Sequence, residues 1–282
     1  MITARTWGFE DLVCPWGRRV SIPAQSRGPL HVHDSKEEVI LVVEGLAWIE
    51  SGKDENSLSG AWIGDNGRIA FPCSLAHRIT ALRDVLAIEF SPNSLADSRE
   101  ILAGGKVGEA EFGALLAEFY RRESRSAVIG VEEAGIIASA LRKEGRMIGM
   151  CSGAFDLLHL GHVELLQQAR QRCEVLFVAV ASDAAVAALR PGRPFIGQKG
   201  RTGLVAATKW ADYVVLTEGK TCADALKAVR PHSYITTTEY GFEGVETKEA
   251  AALGIAVHVV GTIPGFSTSN IAATVAAKEK AR

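Results

Sequence analysis

Along residues 1–92 the apolar positions come in short runs broken by turn residues. The runs EEVILVVEGLAWIE, GRIAFP and VLAIEFSP are rich in β-branched and aromatic side chains, and Gly45, Gly60, Gly64 and Gly67 punctuate them. Short strand-like runs at turn spacing predict an all-β sandwich or small barrel. The texture changes near SPNSLADSRE. From 96 to 144 the chain is rich in Ala, Glu, Leu and Arg, and Leu115, Leu116, Phe119 and Tyr120 fall on one helical face. VEEAGIIASALRKEGR repeats the helical spacing and stops at a glycine.

From Met147 the pattern alternates. RMIGMCSG, EVLFVAVAS, ADYVVLT, HSYITT and AVHVVG read as strands. HVELLQQARQRC, DAAVAALR, RTGLVAATKW, CADALKAVR and GVETKEAAALG read as helices. Alternation of this kind predicts a Rossmann-like parallel sheet flanked by helices. The expected organisation is two-domain: a β-barrel or jelly roll over 1–95, a helical linker over 96–144, and an α/β domain over 145–282. In open parallel sheets ligands bind beyond the carboxyl ends of the strands. CSGAFDLLHLGHVELLQQAR, residues 151–170, lies at the end of the first strand of that sheet and is the expected place for a site.

Bulk numbers narrow the function classes. A chain of 282 residues with 47% hydrophobic and 23% charged content has material for two cores. A net charge of -2 gives no electrostatic reason to expect nucleic acid or an anionic membrane as partner. Five scattered cysteines with no CxxC pair read as reduced thiols. The start shows no signal peptide and the longest apolar runs are too short to span a bilayer, so the expected location is the cytoplasm.

Residues 151–170 carry the chemistry. A helix starting near His162 aims its first backbone N–H groups, and the positive end of its dipole, at the loop before it. Gly153 and Gly161 let backbone approach a ligand. His159 and His162 are placed to donate hydrogen bonds to phosphate oxygens, which stabilises charge that builds up in nucleotidyl transfer. The competing readings are a metal shared between the two rings, against which no Cys, Asp or Glu sits nearby at ligand spacing, and two helix-capping histidines with no catalytic task.

GAFDLLHLGHVELL resembles the GxFDxxHxGHxxxL signature of the cytidylyltransferase-like nucleotidyltransferases, with Gly153, Phe155, Asp156, His159, Gly161, His162 and Leu166 in place. ASDAAVAALRPGRP and IPGFSTSNI resemble two further elements of that family. The resemblance runs over roughly residues 130 to 280 and is nearest to the heptose-phosphate adenylyltransferase type. It implies His159, His162 and Arg201 as catalytic residues. It implies Gly153, Phe155, Asp156, Gly161, Arg190, Gly265, Ser267, Thr268 and Ser269 as nucleotide-binding residues, and Mg²⁺ bound with the nucleotide. The donor is ATP or CTP and the acceptor a small phosphorylated sugar, polyol or phosphonate.

The chain departs from the heptose-type pattern in two segments. TTTEYG stands where a KGGDY-like segment is expected, so Thr236 replaces a lysine and Glu239 an aspartate. Arg190 stands for a lysine. CTP-using relatives carry an arginine shortly before the late G-x-S-T element, and GTIPGFSTS has none, which leans towards ATP.

GPLHVHDSKEEVILVVEG and GRIAFPCSLAH resemble the two cupin motifs over about residues 15 to 92. His31, His33, Glu38, Gly45, Pro72 and His77 match, while Ser74 replaces a glycine. Both rings of an HxH strand point to one face. The resemblance implies a divalent metal, Fe, Mn, Ni, Zn or Cu, held by His31, His33, Glu38 and His77. Both domain types commonly self-associate, so a homodimer is expected. Besides the transferase, two other readings stand: a catalytically silent nucleotide-binding regulator whose cupin senses a metal or metabolite, and a bifunctional enzyme whose cupin (an isomerase, epimerase or oxygenase) prepares the acceptor.

Overall fold

A computed structural model describes residues 2–14, 17–91, 99–122, 127–239 and 241–280. It divides into two compact units, Met1–Phe119 and Tyr120–Arg282. The expected boundary between 95 and 96 lies outside the described residues, as do the side chain of Tyr120 and all of Tyr240. Cys73, Cys151, Cys173 and Cys222 are free thiols, and Cys14's side chain is outside the described set.

The first unit is two packed antiparallel sheets. Its strands are β1 (Ile2–Arg5), β2 (Gly8–Cys14), β3 (Gly17–Ile22), β4 (Ser26–Arg27), β5 (Leu30–Val32), β6 (Glu38–Glu44), β7 (Ala47–Gly52), β8 (Ser59–Ile63), β9 (Arg68–Phe71), β10 (Ala76–Ala81), β11 (Val85–Phe90), β12 (Arg99–Leu102) and β13 (Gly105–Lys106). One sheet runs β1-β2-β3-β11-β6-β9. The other runs β12-β5-β10-β4-β13, with β7 paired to β10 and β8. Strand alternation fixes which side chains meet inside. In β6, Glu38, Ile40 and Val42 are buried; in β3, Val20 and Ile22; in β11, Val85, Ala87 and Glu89. Val20, Ile40, Ile49, Phe71 and Ile79 pack in one core drawn from both sheets. Gly45 turns β6 into β7 at φ +107°, and a Cβ there would stand 2.1 Å from the Asp84 carbonyl oxygen. Only glycine fits that approach.

The second unit is an α/β layer fold. It contains β14 (Ala127–Ile129), α2 (Val131–Lys143), β15 (Ile148–Gly153), α3 (Leu160–Arg170), β16 (Val175–Ala181), α4 (Asp183–Leu189), α5 (Gln198–Ala206), β17 (Tyr213–Thr217), α6 (Ala223–Val229), β18 (Ser233–Thr237), α7 (Val245–Ala252), β19 (Ala256–Val260) and α8 (Thr268–Lys280). The helix before them, α1, spans Glu109–Arg122. The sheet runs β14-β17-β16-β15-β18-β19 and every pairing is parallel. From β15 the chain winds first to β16 and β17, then returns to β18 and β19. The direction reverses between β15 and β18, which is the topological switch point where such sheets bind ligands.

The segment 96–144 differs from a free helical linker. β12 pairs with β5 and β13 with β4, so 99–106 completes the antiparallel sheet. β14 pairs with β17, so 127–129 extends the parallel sheet. Both pieces are short and their pairing partners are distant in sequence, so no local period marks them. The two helices are where the spacing places them: α2 buries Ala134, Ile137, Ala138 and Leu141, and α1 buries Phe112 and Leu116.

Candidate active site and buried histidine cluster

The loop leaving β15 is held in an unusual shape. Phe155 and Leu157 both have φ 51°, a conformation non-glycine residues rarely adopt and which surrounding contacts must stabilise. Those contacts centre on Asp156. Its carboxylate accepts from the Phe195 N–H at 2.9 Å, the Ile196 N–H at 3.1 Å and Arg193 Nη1 at 3.0 Å. Burial alone would push this carboxyl up. The two backbone donors and Arg193 outweigh it and hold the carboxyl below its usual range. Asp156 thus fixes the 193–196 loop. Its own carbonyl accepts from the Thr268 hydroxyl, which ties the start of α8 to the same loop.

His159 precedes α3 and His162 lies in its first turn. Their rings stack with centroids 3.8 Å apart. The His159 N–H donates to His162 Nδ1 at 3.4 Å. An accepting Nδ1 leaves the neutral ring's proton on Nε2, so His162 is an Nε2–H donor. Burial lowers the His162 pKa to about 4, and repulsion from His159 adds to the shift against the pull of Asp156. Burial also lowers His159, with Glu239 opposing. His159 Nδ1 is buried without a hydrogen-bond partner. A Cβ on Gly161 would stand 3.1 Å from both His159 Nδ1 and the Phe266 carbonyl, so the glycine lets two chain segments close on the rings.

These groups line one cavity of about 680 Å³ at the switch point. Gly153, Phe155, Asp156, His159, Gly161, His162, Arg190, Gly265, Ser267 and Thr268 are all on its wall. Two expected residues are not. Arg201 is fully buried: Nε donates to the Ile196 carbonyl at 2.9 Å, Nη1 to the Ala154 carbonyl and Nη2 to Asp183 at 2.9 Å. It knits the exits of β15 and β16 together and positions the site from behind; it does not hold phosphate. Ser269 is exposed and off the wall, one residue beyond Thr268 on the helix, where the side chain turns away. Ser267 caps α8 by accepting from the Asn270 N–H at 3.2 Å.

Several wall residues were not among the expected site residues. Ser152 and Tyr234 bridge β15 and β18 at 2.6 Å. Arg193, Lys220 and Asn270 reach the wall from loops and a helix start. Lys220, three residues past the end of β17, lines the same cavity as Thr236. Cys222 also lines the cavity, but burial pushes its thiol up to about 12. A thiol held protonated is no nucleophile. The wall therefore offers donors and charge, the equipment for direct transfer between bound phosphates.

The first unit has a separate cluster between its two sheets. His31 and His77 face each other across β5 and β10, and Glu38 comes from β6 of the other sheet. Glu38 Oε2 is 2.7 Å from His77 Nε2, 3.2 Å from His33 Nε2 and 3.7 Å from His31 Nε2. One ligand atom from each of the four lies within 4.8 Å of the others, and all four residues are buried. His31 Nδ1 and His77 Nδ1 each lie 3.1 Å from a backbone carbonyl, of Pro29 and Leu75. With their Nδ1 protons on those carbonyls, the neutral rings would turn Nε2 lone pairs towards Glu38, the orientation in which histidine ligates a metal. A bound cation would satisfy the lone pairs and the carboxylate together. Burial alone would raise the Glu38 carboxyl; the three rings outweigh it and hold it ionised. Glu38 Oε1 and His31 Nε2 are buried with no partner. The donor set fits a divalent transition metal.

Comparison with known proteins agrees with the second unit's geometry. Residues 150–271 match the family model described as cytidylyltransferase-like. The bifunctional protein HldE of Trichlorobacter lovleyi is 37% identical over 152 residues, covering 53% of this chain and 31% of that protein. HldE of Geobacter sulfurreducens is 37% identical over 140 residues, covering 49% and 28%. The chain thus spans about a third of the length of these relatives. The solved lipopolysaccharide core biosynthesis protein of Thermoplasma volcanium GSS1 is 27% identical, covering 42% of this chain and 98% of that one, at a TM-score of 0.37. The HxGH rings and the switch-point cavity thus lie within the segment, 150–271, that matches the cytidylyltransferase-like family model.

Proposed function

We propose that the chain transfers AMP or CMP from ATP or CTP to a small phosphorylated sugar, polyol or phosphonate, releasing pyrophosphate. The observation that carries this reading is the stacked His159–His162 pair at the start of α3, on the wall of the 680 Å³ cavity. An oxygen of the acceptor's phosphate or phosphonate attacks the α-phosphorus. The bond from that phosphorus to the bridging oxygen breaks, and pyrophosphate leaves with the electron pair. No proton need be taken from the acceptor when its phosphate is ionised. His162 donates from Nε2 to the oxygens around the α-phosphorus, and His159 supports it from the adjacent ring. The N-termini of α3 and α8 present backbone N–H groups to phosphate. Arg190 and Arg193 lie on the same wall for the triphosphate, and Lys220 with Thr236 for the acceptor's phosphate. Mg²⁺ bound to the triphosphate would offset part of its charge. The lack of an arginine in GTIPGFSTS favours ATP.

In the first unit His31, His33, Glu38 and His77 would hold a divalent transition metal, which supplies Lewis acidity to a bound oxygen ligand. We place the protein in the cytoplasm as a homodimer; no helix among the described residues is long and apolar enough to cross a membrane. The regulator reading draws on Thr236 and Glu239, where the acceptor side is altered. Pyrophosphate release decides between them. With Mg²⁺, ATP and CTP are tested separately against sugar, polyol and amino-alcohol phosphates and short phosphonates. Turnover with one pair supports transfer. Nucleotide binding with no release across the panel supports the regulator.

A further inference from the structure

The inward face of β3 reads Arg18, Val20, Ile22, and that of β11 reads Val85, Ala87, Glu89. A charged residue ends each apolar row, and Arg18 and Glu89 are directly paired across the two strands. Glu89 is 3% exposed. Inward charges on a sheet cost desolvation, and a buried ion pair stabilises less than apolar residues of like size.

A second cavity of about 240 Å³ is found there. Its wall holds Arg18 and Glu89 with Trp7, Glu10, Glu100 and the metal-cluster residue His31, over a floor of Val20, Ile22 and Ile79. Arg18 Nε donates to Glu89 and Nη1 to Glu10 at 3.4 Å, while Arg5 Nε donates to Glu10 at 2.9 Å. The chain of alternating charges neutralises itself. Arg18 retains Nη2 donors, and Glu89 retains its second oxygen. The two arginines face three carboxylates, so the wall offers a phosphate dianion no net attraction. It offers adjacent donors and acceptors beside an indole ring.

We propose that this cavity binds an unphosphorylated, monosaccharide-sized polyol, with hydroxyls on the Arg18–Glu89 pair, a C–H face on Trp7, and one oxygen directed to the metal held beside His31. The size agrees. The cavity is about a third of the nucleotide cavity's volume and below the roughly 300–1,000 Å³ of drug-sized pockets. The inference rests on the metal reading of the first unit and goes beyond the transferase.

The test uses the full chain loaded with Co²⁺, whose visible absorption reports its ligands. D-mannose, D-fructose and D-ribose are titrated in turn, with inorganic phosphate in parallel. The expected result is a saturable spectral shift with at least one sugar and none with phosphate. Trp7→Leu should weaken that sugar tenfold or more with the sugar-free cobalt spectrum and melting temperature retained; Glu89→Gln should weaken it as much with the cobalt spectrum retained, its broken pair with Arg18 lowering the melting temperature. Cobalt bands that no sugar shifts would overturn the inference while leaving the metal reading intact. A shift by phosphate alone, or sugar affinity unchanged in Trp7→Leu, would also overturn it. Absence of cobalt bands would refute the metal reading and this inference with it.

Discussion

His162 shows how one residue carries two constraints. Its Nδ1 is tied to the His159 N–H, and its ring is kept neutral by burial and by its neighbour. A folded-state pKa of about 4 lies below the ordinary histidine value near 6.5. The native ring resists protonation that the unfolded ring accepts. Stability from this group is therefore complete above about pH 6.5 and is lost as pH falls towards 4. Proton NMR of the His162 ring should give a midpoint near 4 in the ligand-free protein; a midpoint of 6 to 7 would contradict the burial argument. Arg201 is the other decisive side chain. Arg201→Met leaves two carbonyls without their donor, and denaturant melts should show a loss of about 3–5 kcal/mol. Arg201→Lys should rescue little, because an ammonium cannot span three acceptors as the planar fork does. The HxGH spacing was readable because those residues are local in sequence. The buried role of Arg201 was not, since it depends on carbonyls 47 and 5 residues away. Lys220 was hidden for the same reason: a loop brings it to the wall only after the sheet has formed.

At the scale of elements, strands and helices of the parallel sheet were legible from apolar period. The pairing of 99–106 and 127–129 was not, because pieces of two to four residues have no period of their own. The start of α3 offers a test that separates fold from site. Alanine normally stabilises a helix over glycine by up to about 1 kcal/mol. In Gly161→Ala the new Cβ would press on His159 and on the Phe266 carbonyl. The expected outcome is a melting temperature unchanged or slightly raised, with kcat/KM for pyrophosphate release down about tenfold or more. Retained kcat/KM would show that close approach of the 266 loop is not needed for transfer.

At the scale of the whole molecule, two different core types lie in one chain, and each brings its own set of polar residues to one place. The change from β-type runs to strand–helix alternation was visible in the sequence. The convergence of His31, His33, Glu38 and His77 from both sheets required the fold. A metal bound only by the folded state at about 100 times its Kd adds about 2.7 kcal/mol. Zn²⁺ or Mn²⁺ should therefore raise the melting temperature of the chelator-treated protein by several degrees, and His31→Ala should abolish that rise. An equal rise in His31→Ala would place the metal elsewhere.

The central claim is that the His159–His162 pair drives nucleotidyl transfer. Its most direct test is steady-state pyrophosphate release by wild-type protein and by His162→Ala, with Mg²⁺ and the best donor–acceptor pair, circular dichroism confirming that both are folded. Loss of a preorganised donor to the transition state predicts a kcat lower by about 10²–10³ in the variant. A folded His162→Ala protein that releases pyrophosphate at near the wild-type rate would contradict the account.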